Sequence, residues 1–476
     1  MNWNAFRKIG VFFQIVSAWV LWVCLVMMLS VRGVAAGEHS GTDRDVRLLT
    51  LQQSIRLALQ NHPGFQASRH ATRAASWRVK QAYFDFLPKL AIDFNYNRLD
   101  AETVHRANIF TEIGRALVRQ FAPDEDPNEI RPAAWRNAYG TSVILQQPIF
   151  NGGALKAQLD MALAAEDNAR SNFTDKRQQV IYETMEAYLE AVKGEEFLAL
   201  AQKALQAAAN RLQQIQRMFE NGLRNRAEVL RWEVEAATAE GDFIEARNQL
   251  LLARMRLSQL TGVHIDSTVK LSHENLPTPE RLQPVEHYLE LARQKNPRLR
   301  AFQANISIQR AQIHLARSNF FPRINLVYSY QWEANNTIAL DSYKTWNLGI
   351  GVHVPLFNSF SDYARVQEAR MRLRELEASR VELEQQLSLQ IRQAHAIVQA
   401  ARKRWQVAQK QLELARRNLE SVSNSFQVGM AANMDLLDAQ VAATRAEANL
   451  IRARFDYLLA YARLRHAAGI LETQEF

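Results

Sequence analysis

Cysteine is nearly missing: Cys24 is the only one, and it lies in the apolar N-terminal run, so no disulfide can form within the chain. Long apolar runs are also missing after Val31, which excludes a polytopic helical membrane protein. There is no phosphate-binding loop, HExxH, CxxC or GxSxG, so no enzyme reading has a residue constellation behind it, and no cofactor is expected. The 11 histidines are scattered. His353 falls on a predicted strand face, and His395 and His466 fall on predicted helices without a second ligand at metal spacing, so no metal site is expected. Disorder is excluded by 47% hydrophobic against 22% charged residues. Proline is missing from two long stretches, 151–219 and 358–426, and the second has no glycine either. Such stretches, rich in Ala, Leu, Gln, Glu and Arg, read as unbroken helix.

The N-terminus has the grammar of an export signal. Arg7 and Lys8 precede an apolar run from Val11 to Val31, and Val34-Ala35-Ala36 supplies small residues before Gly37. This predicts a signal peptide at 1–36. An uncleaved anchor fits the same run, which is long and is followed by Arg32. Removing Arg7, Lys8 and Arg32 from the 58 basic residues leaves 55 against 49 acidic, a net +6. These charges are interleaved with acids on helices, which suits solvated faces rather than nucleic acid.

The chain is written twice. Asn61-His62-Pro63 recurs as Lys295-Asn296-Pro297, and Phe86-Leu87-Pro88 as Phe320-Phe321-Pro322, each displaced by 234. Pro148-Ile149-Phe150-Asn151 recurs as Pro355-Leu356-Phe357-Asn358, Phe219-Glu220-Asn221-Gly222 as Phe426-Gln427-Val428-Gly429, and Leu260-Thr261-Gly262 as Ala467-Ala468-Gly469, each displaced by 207. The drop of 27 places one insertion in the first copy, between Asn97 and Tyr139. The expected domains are a first repeat at 37–262, a linker at 263–283 and a second repeat at 284–476. Long helices at about 152–219 and 358–426 would each reach roughly 100 Å. Helices of that length must pack sideways, as in coiled coils. Each ends at a tip carrying Gly222 or Gly429, after which a shorter helix returns to Gly262 or Gly469.

Strands are expected at about 88–99, 139–150, 322–333 and 345–357, with Pro88, Pro148, Pro322 and Pro355 at the helix–strand joints. Leu90, Ile92, Phe94 and Tyr96 alternate with polar or small residues, as do Ile324, Leu326, Tyr328, Tyr330 and Trp332. Segments of about 10 residues with one apolar face suit a transmembrane barrel around a wet lumen, although a soluble sheet packed on helices alternates in the same way. Four strands cannot close a barrel. Two copies would supply 8 strands and three would supply 12, and spacing does not choose between them.

With this order of parts the chain resembles the TolC-type outer-membrane efflux proteins over nearly all of residues 48–470. The resemblance rests on the duplicated helix–strand–strand–helix unit, on Leu57-Ala58-Leu59-Gln60-Asn61-His62-Pro63, and on the Pro-hydrophobic-Phe-Asn joints. The second tip, Val428-Gly429-Met430-Ala431-Ala432-Asn433-Met434-Asp435-Leu436-Leu437-Asp438-Ala439, is the most characteristic part. It implies a mainly α fold with a small β part: a homotrimer whose 12-stranded outer-membrane barrel, set in lipid, joins a periplasmic α-helical barrel. It also implies an exit duct for efflux or type I secretion, partnered by a periplasmic adaptor and an inner-membrane transporter. Docking would use the tips at Gly222, Leu223, Arg224, Gly429 and Met430. The family's acidic constriction maps onto Asp435 and Asp438, and Glu228 occupies the equivalent place at the first tip.

Two departures stand out. The family's basic residue after the second tip glycine is Ala431 here, and its phenol before that glycine is Phe426. Arg224 or Arg226 offers a replacement cation. The same acids also suit a plainer role, as first-turn charges on a helix dipole, with Asn225 and Glu228 as a capping box and Asn433 as a cap. The insertion at 101–138, with Ile109, Ile113, Leu117 and Phe121 at helical spacing, reads as an outer lid or as a disordered loop. The rival function is a periplasmic coiled-coil tether without a pore; a scaffold subunit of a polysaccharide or adhesin exporter would share the fold.

Overall fold

The computed structural model describes residues 48–130, 132–266, 268–273, 282–335, 343–428 and 430–471. The signal segment 1–36 with Cys24, and Gly429, lie outside the described residues. The first half runs β1 (Leu48–Leu49), α1 (Leu51–Asn61), α2 (Pro63–Phe84), β2 (Lys89–Arg98), α3 (Ala101–Phe121), β3 (Asn137–Asn151), α4 (Ala154–Glu220) and α5 (Arg226–Thr261). The second runs β4 (Lys270–Leu271), α6 (Val285–Lys295), α7 (Pro297–Ser318), β5 (Arg323–Asn335), β6 (Tyr343–His353), α8 (Ser361–Gln427) and α9 (Asn433–Ala468). Matching helices have matching lengths: 11 residues for α1 and α6, 22 for α2 and α7, 67 for α4 and α8, 36 for α5 and α9.

Local chemistry sets the joints. Thr50 starts α1 through a capping box, accepting from Gln53 N at 3.2 Å while its own N–H donates to Gln53 Oε1 at 3.0 Å. The Pro of α2 and of α7 occupies the first helical turn, where its missing N–H costs nothing. Before α4 the chain turns through left-handed backbone at Gly152 and Gly153, with φ of 65° and 85°. The matching turn before α8 uses Ser359 and Phe360, with φ of 46° and 59°, at a cost of about 1–2 kcal/mol per non-glycine residue. This turn delays α8 until Ser361, three residues later than its sequence suggests.

The long and returning helices pack as antiparallel hairpins. The seam of α5 carries buried Trp232, Ala239 and Ala246 seven residues apart, then Leu250 and Leu257, the spacing of a coiled coil. Midway along α4 the main core gathers Ile181, Met185, Tyr188 and Leu189 against Ile55 of α1, Leu257 of α5 and Phe455 of α9. Tyr188 is fully buried, and its hydroxyl lies 3.0 Å from Leu49 O and 2.8 Å from Ser272 O, tying down the ends of the parallel pair β1–β4. Burial pushes its phenol up to about 12, so it remains a neutral donor at ordinary pH. The linker thus contains a strand, β4, that the sequence does not announce.

The other sheet has the antiparallel order β2-β3-β5-β6. Its register lines up Ile92, Val143, Tyr330 and Trp346 in one row and Leu90, Leu145, Tyr328 and Leu348 in another. Between them runs a row of Ala91, Ile144, Ser329 and Asn347, small or polar except at Ile144, followed beyond by the polar row Asp93, Ser142, Gln331 and Thr345. In these two rows one face is apolar across all four strands, and its outer members remain uncovered: Ile92 is 68% exposed and Trp346 68%. β2 and β6 each leave one edge unpaired.

Three sequence expectations shift. Pro88 and Pro322 immediately precede β2 and β5, but Pro148 lies inside β3, at a register shift between Pro148 and Phe150. A proline without an N–H is accommodated at such a bulge. β6 ends at His353, so Pro355 sits in the connection to α8 and not at the strand's end. The insertion forms the 21-residue helix α3, capped by Asp100, which accepts from Thr103 N at 2.9 Å, and is therefore not a disordered loop. Among the described residues no helix is long and apolar enough to cross a membrane.

Candidate gate at the hairpin tips

Both tips close with the same backbone bond. Leu223 N donates to Met218 O at 2.8 Å, and Met430 N donates to Ser425 O at 2.8 Å, at positions displaced by the repeat offset. At the first tip Gly222 supplies φ of 74°, as the left-handed end of a helix requires. The first tip exposes Leu223 at 71%, and the second exposes Val428 at 65% and Met430 at 81%.

The return helices then start side by side and point the same way. Glu228 and Trp232 of α5 face Asn433 and Leu437 of α9, a constant step of 205. Trp232 is fully buried with Ile215 and Val229, while its indole N–H has no protein partner. Arg231 Nη1 reaches Met434 Sδ in the next turn.

Within this frame the acids part company. The cap of α9 is Ala432, not Asn433, because Asp435 takes over the free helix end by accepting from Ala432 N at 3.1 Å. Asn433 is the first helical residue, buried, with Nδ2 donating to Glu228 Oε2 at 3.3 Å and Oδ1 left without a partner. At the first tip Asn225 caps α5 by accepting from Glu228 N at 3.0 Å. The Glu228 carboxylate does not complete the box. It turns to Arg224, at 3.4 Å, and to Asn433. Asp435 and Asp438 are both exposed, three residues apart on the first turns of α9. Asp438 borders an open groove with Gln411, Arg445 and Asn449.

Of the two candidate cations, Arg224 is the one drawn into the tip. Its guanidinium carbon lies 5.6 Å from the ring centre of Phe426. Arg226 points elsewhere, 3.9 Å from Glu233. A second guanidinium, that of Arg211 on α4, lies 5.5 Å from the same ring. Arg211 carried no sequence signal, because nothing in its own helix marks it out. The only available clue was the mismatch with its repeat partner, Asn418. Pro88, Pro148, Pro322 and Pro355 lie at or near the sheet, well along the chain from the tips, and belong to the strand joints. Among the described residues no cluster of His, Cys, Asp and Glu could hold a metal ion.

A family model described as outer membrane efflux protein matches residues 54–263 and 288–470. The alkaline protease secretion protein AprF of Pseudomonas aeruginosa is 25% identical over 445 residues, covering 90% of this chain and 86% of that protein. The outer membrane protein TolC of Escherichia coli is 22% identical over 459 residues, covering 93% and 86%. Among solved structures, the Campylobacter jejuni CmeC outer membrane channel superposes with a TM-score of 0.73 at 17% identity, covering 93% of this chain and 95% of that one.

Proposed function

The chain belongs to the outer membrane efflux protein family, and from that membership we propose that three copies form one duct, closed at its periplasmic end by the hairpin tips. The protein is an outer-membrane channel, an exit duct for efflux or type I secretion that extends into the periplasm. The tether reading is set aside.

One observation carries the trimeric reading: a four-stranded sheet, with rows apolar across all four strands on one face and open edges at β2 and β6, joined to 67-residue helices. In lipid every open edge leaves backbone groups unpaired at several kcal/mol each. Pairing β6 of one copy with β2 of the next removes all the edges, and three copies give the 12 strands that the family resemblance implies. The apolar rows then face lipid and the Asp93–Gln331 row faces water. The long helices continue the wall inward for about 100 Å.

At the inner end the exposed pair Asp435 and Asp438 would bring six carboxylates to one axis, with Glu228 behind them against Arg224. Capping by Asp435 and lining the lumen are compatible, because only one of its oxygens is taken by Ala432 N. Leu223 and Met430 present apolar points for a periplasmic adaptor, which would link the duct to an inner-membrane transporter. The duct is passive and contributes no catalysis.

Planar-bilayer conductance tests this reading. The processed protein should pass a small current blocked by divalent or trivalent cations, and Asp435→Ala with Asp438→Ala should weaken that block while trimers persist. Unchanged block would remove the two aspartates from the gate. No current from either protein, well folded, would count against a pore.

A further inference from the structure

Among the described residues the other cation–aromatic contacts are local: Lys80 over Trp77, Arg454 over Phe455 and Arg465 over Tyr461 each stay within one helix. Phe426 is different. It sits in the last turn of α8, half-buried, and both guanidinium groups near it come from the other repeat: Arg211 of α4 at 5.5 Å and Arg224 of the first tip at 5.6 Å.

Each arginine is fixed from behind. Arg211 Nη1 donates to Gln214 Oε1 at 2.6 Å, and burial lowers its pKa from the ordinary value. Arg224 is held by Glu228 at 3.4 Å, and the same carboxylate accepts from Asn433 on α9 at 3.3 Å. The order Arg211, Phe426, Arg224, Glu228, Asn433 therefore crosses between the two hairpins three times. The arrangement is one-sided. The repeat partners of Arg211 and Arg224 are Asn418 and Ala431, so the second repeat has neither cation to offer Phe219 in return.

We propose that Phe426 is a positioning residue of the inner end: clasped between Arg211 and Arg224, it ties the second hairpin to the first hairpin of the same chain and thereby sets where Asp435 and Asp438 stand. The proposal rests on the tips being the closable end of the duct. A ring face attracts a cation without itself carrying charge, most strongly where water is excluded. Such a contact survives loss of the cation and phenol that the family places at 431 and 426. Leucine keeps the apolar bulk of Phe426 but has no π-face; tryptophan keeps the face and strengthens it.

The test uses the full chain with Cys24→Ser, spin-labelled at Leu223→Cys and Val428→Cys, two exposed tip positions. Phe426→Leu should lengthen and broaden the 223–428 distance distribution and raise the open fraction in bilayers about tenfold. Phe426→Trp should restore both. Arg224→Gln should give the Phe426→Leu result, and the double variant should add nothing to either alone. Distances and open fraction unchanged in Phe426→Leu and Arg224→Gln would overturn the proposal, as would a tryptophan variant no better than leucine. A wild-type chain without conductance would instead sink the duct reading, and the distances would still judge the clasp.

Discussion

The side-chain amide of Asn61 donates to the carbonyl oxygen of Thr261 at 2.8 Å, joining residues 200 positions apart at the close of the first repeat. Asn296 does the same for Ala467 at 3.2 Å in the second. The two asparagines are not repeat partners, since Asn296 aligns with His62. The second copy has shifted the amide by one residue, onto the helix cap itself, where Asn296 Oδ1 also accepts from Arg298 N at 2.9 Å. Beneath each amide lies a left-handed glycine, Gly262 at φ 68° and Gly469 at φ 73°. A Cβ on Gly262 would stand 2.8 Å from Asn61 Cβ, and one on Gly469 2.8 Å from Asn296 Cα.

Substitution here should therefore be costly twice over, through backbone strain and through displaced asparagine. Gly262→Ala and Gly469→Ala are each expected to destabilise by about 1–3 kcal/mol, and Asn61→Ala by about 1 kcal/mol. Denaturant unfolding of the purified chain measures this. A Gly469→Ala variant as stable as wild type would mean that the helix end relaxes freely.

Acid should loosen the same region through His466. Burial, then the positive charge of Arg298, lowers its pKa below the ordinary 6.5, while its ring stacks on Tyr182 at 5.0 Å. The neutral form is thus favoured by folding. That stability is complete above the unfolded value of 6.5 and is lost as pH falls from there through the lowered folded value. His466→Phe keeps a stacking ring and removes the titration, so its unfolding midpoint should fall less than that of wild type between about pH 7.5 and 5.5. Parallel pH slopes for the two proteins would refute this.

The tip core should tolerate loss of a nitrogen far better than loss of a ring. Trp232 is fully buried, yet its N–H bonds to no protein atom. Trp232→Phe should cost little beyond its smaller volume, whereas Trp232→Ala should cost about 3–5 kcal/mol. A large cost for Trp232→Phe would reveal a hidden hydrogen bond, such as one to an ordered water.

The inserted helix α3 keeps one face on its own loop, with Asn108 accepting from Ala133 N at 2.7 Å and Arg115 Nε donating to Ile130 O at 2.9 Å. Its other face leaves Phe110 85% and Phe121 74% exposed. As a lid over the outer mouth, its removal should raise single-channel conductance or antibiotic entry. Unchanged values after deleting 101–136 would end the lid idea.

The duplicated plan was legible because it is carried by short-range rules repeated at a fixed offset. Proline exclusion marked the long helices, alternation marked the strands, and the glycines marked the ends. Pro148 was misread because proline normally signals a boundary, while a bulge inside β3 supplies the one strand position that needs no N–H. β1 and β4 were illegible because two residues have no period. At the tips, the acids could be placed on a helical turn from sequence, but their partners could not. Arg211, Arg224 and Phe426 lie on three separate stretches, and nothing local to any of them announces the meeting.

The sequence by itself therefore determined the order of the long helices and of the four long strands, their approximate extents and the alternation of their faces, because those follow from backbone geometry and side-chain type within a few residues. Only the tertiary structure decided that Asp435 caps its helix, that Glu228 turns to Arg224 and Asn433, and that Phe426 lies 5.5 and 5.6 Å from two cations of the other repeat. Those choices depend on how two hairpins lie side by side, with Leu437 of one packed against the Ile215, Val229 and Trp232 cluster of the other, and not on any pattern along the chain.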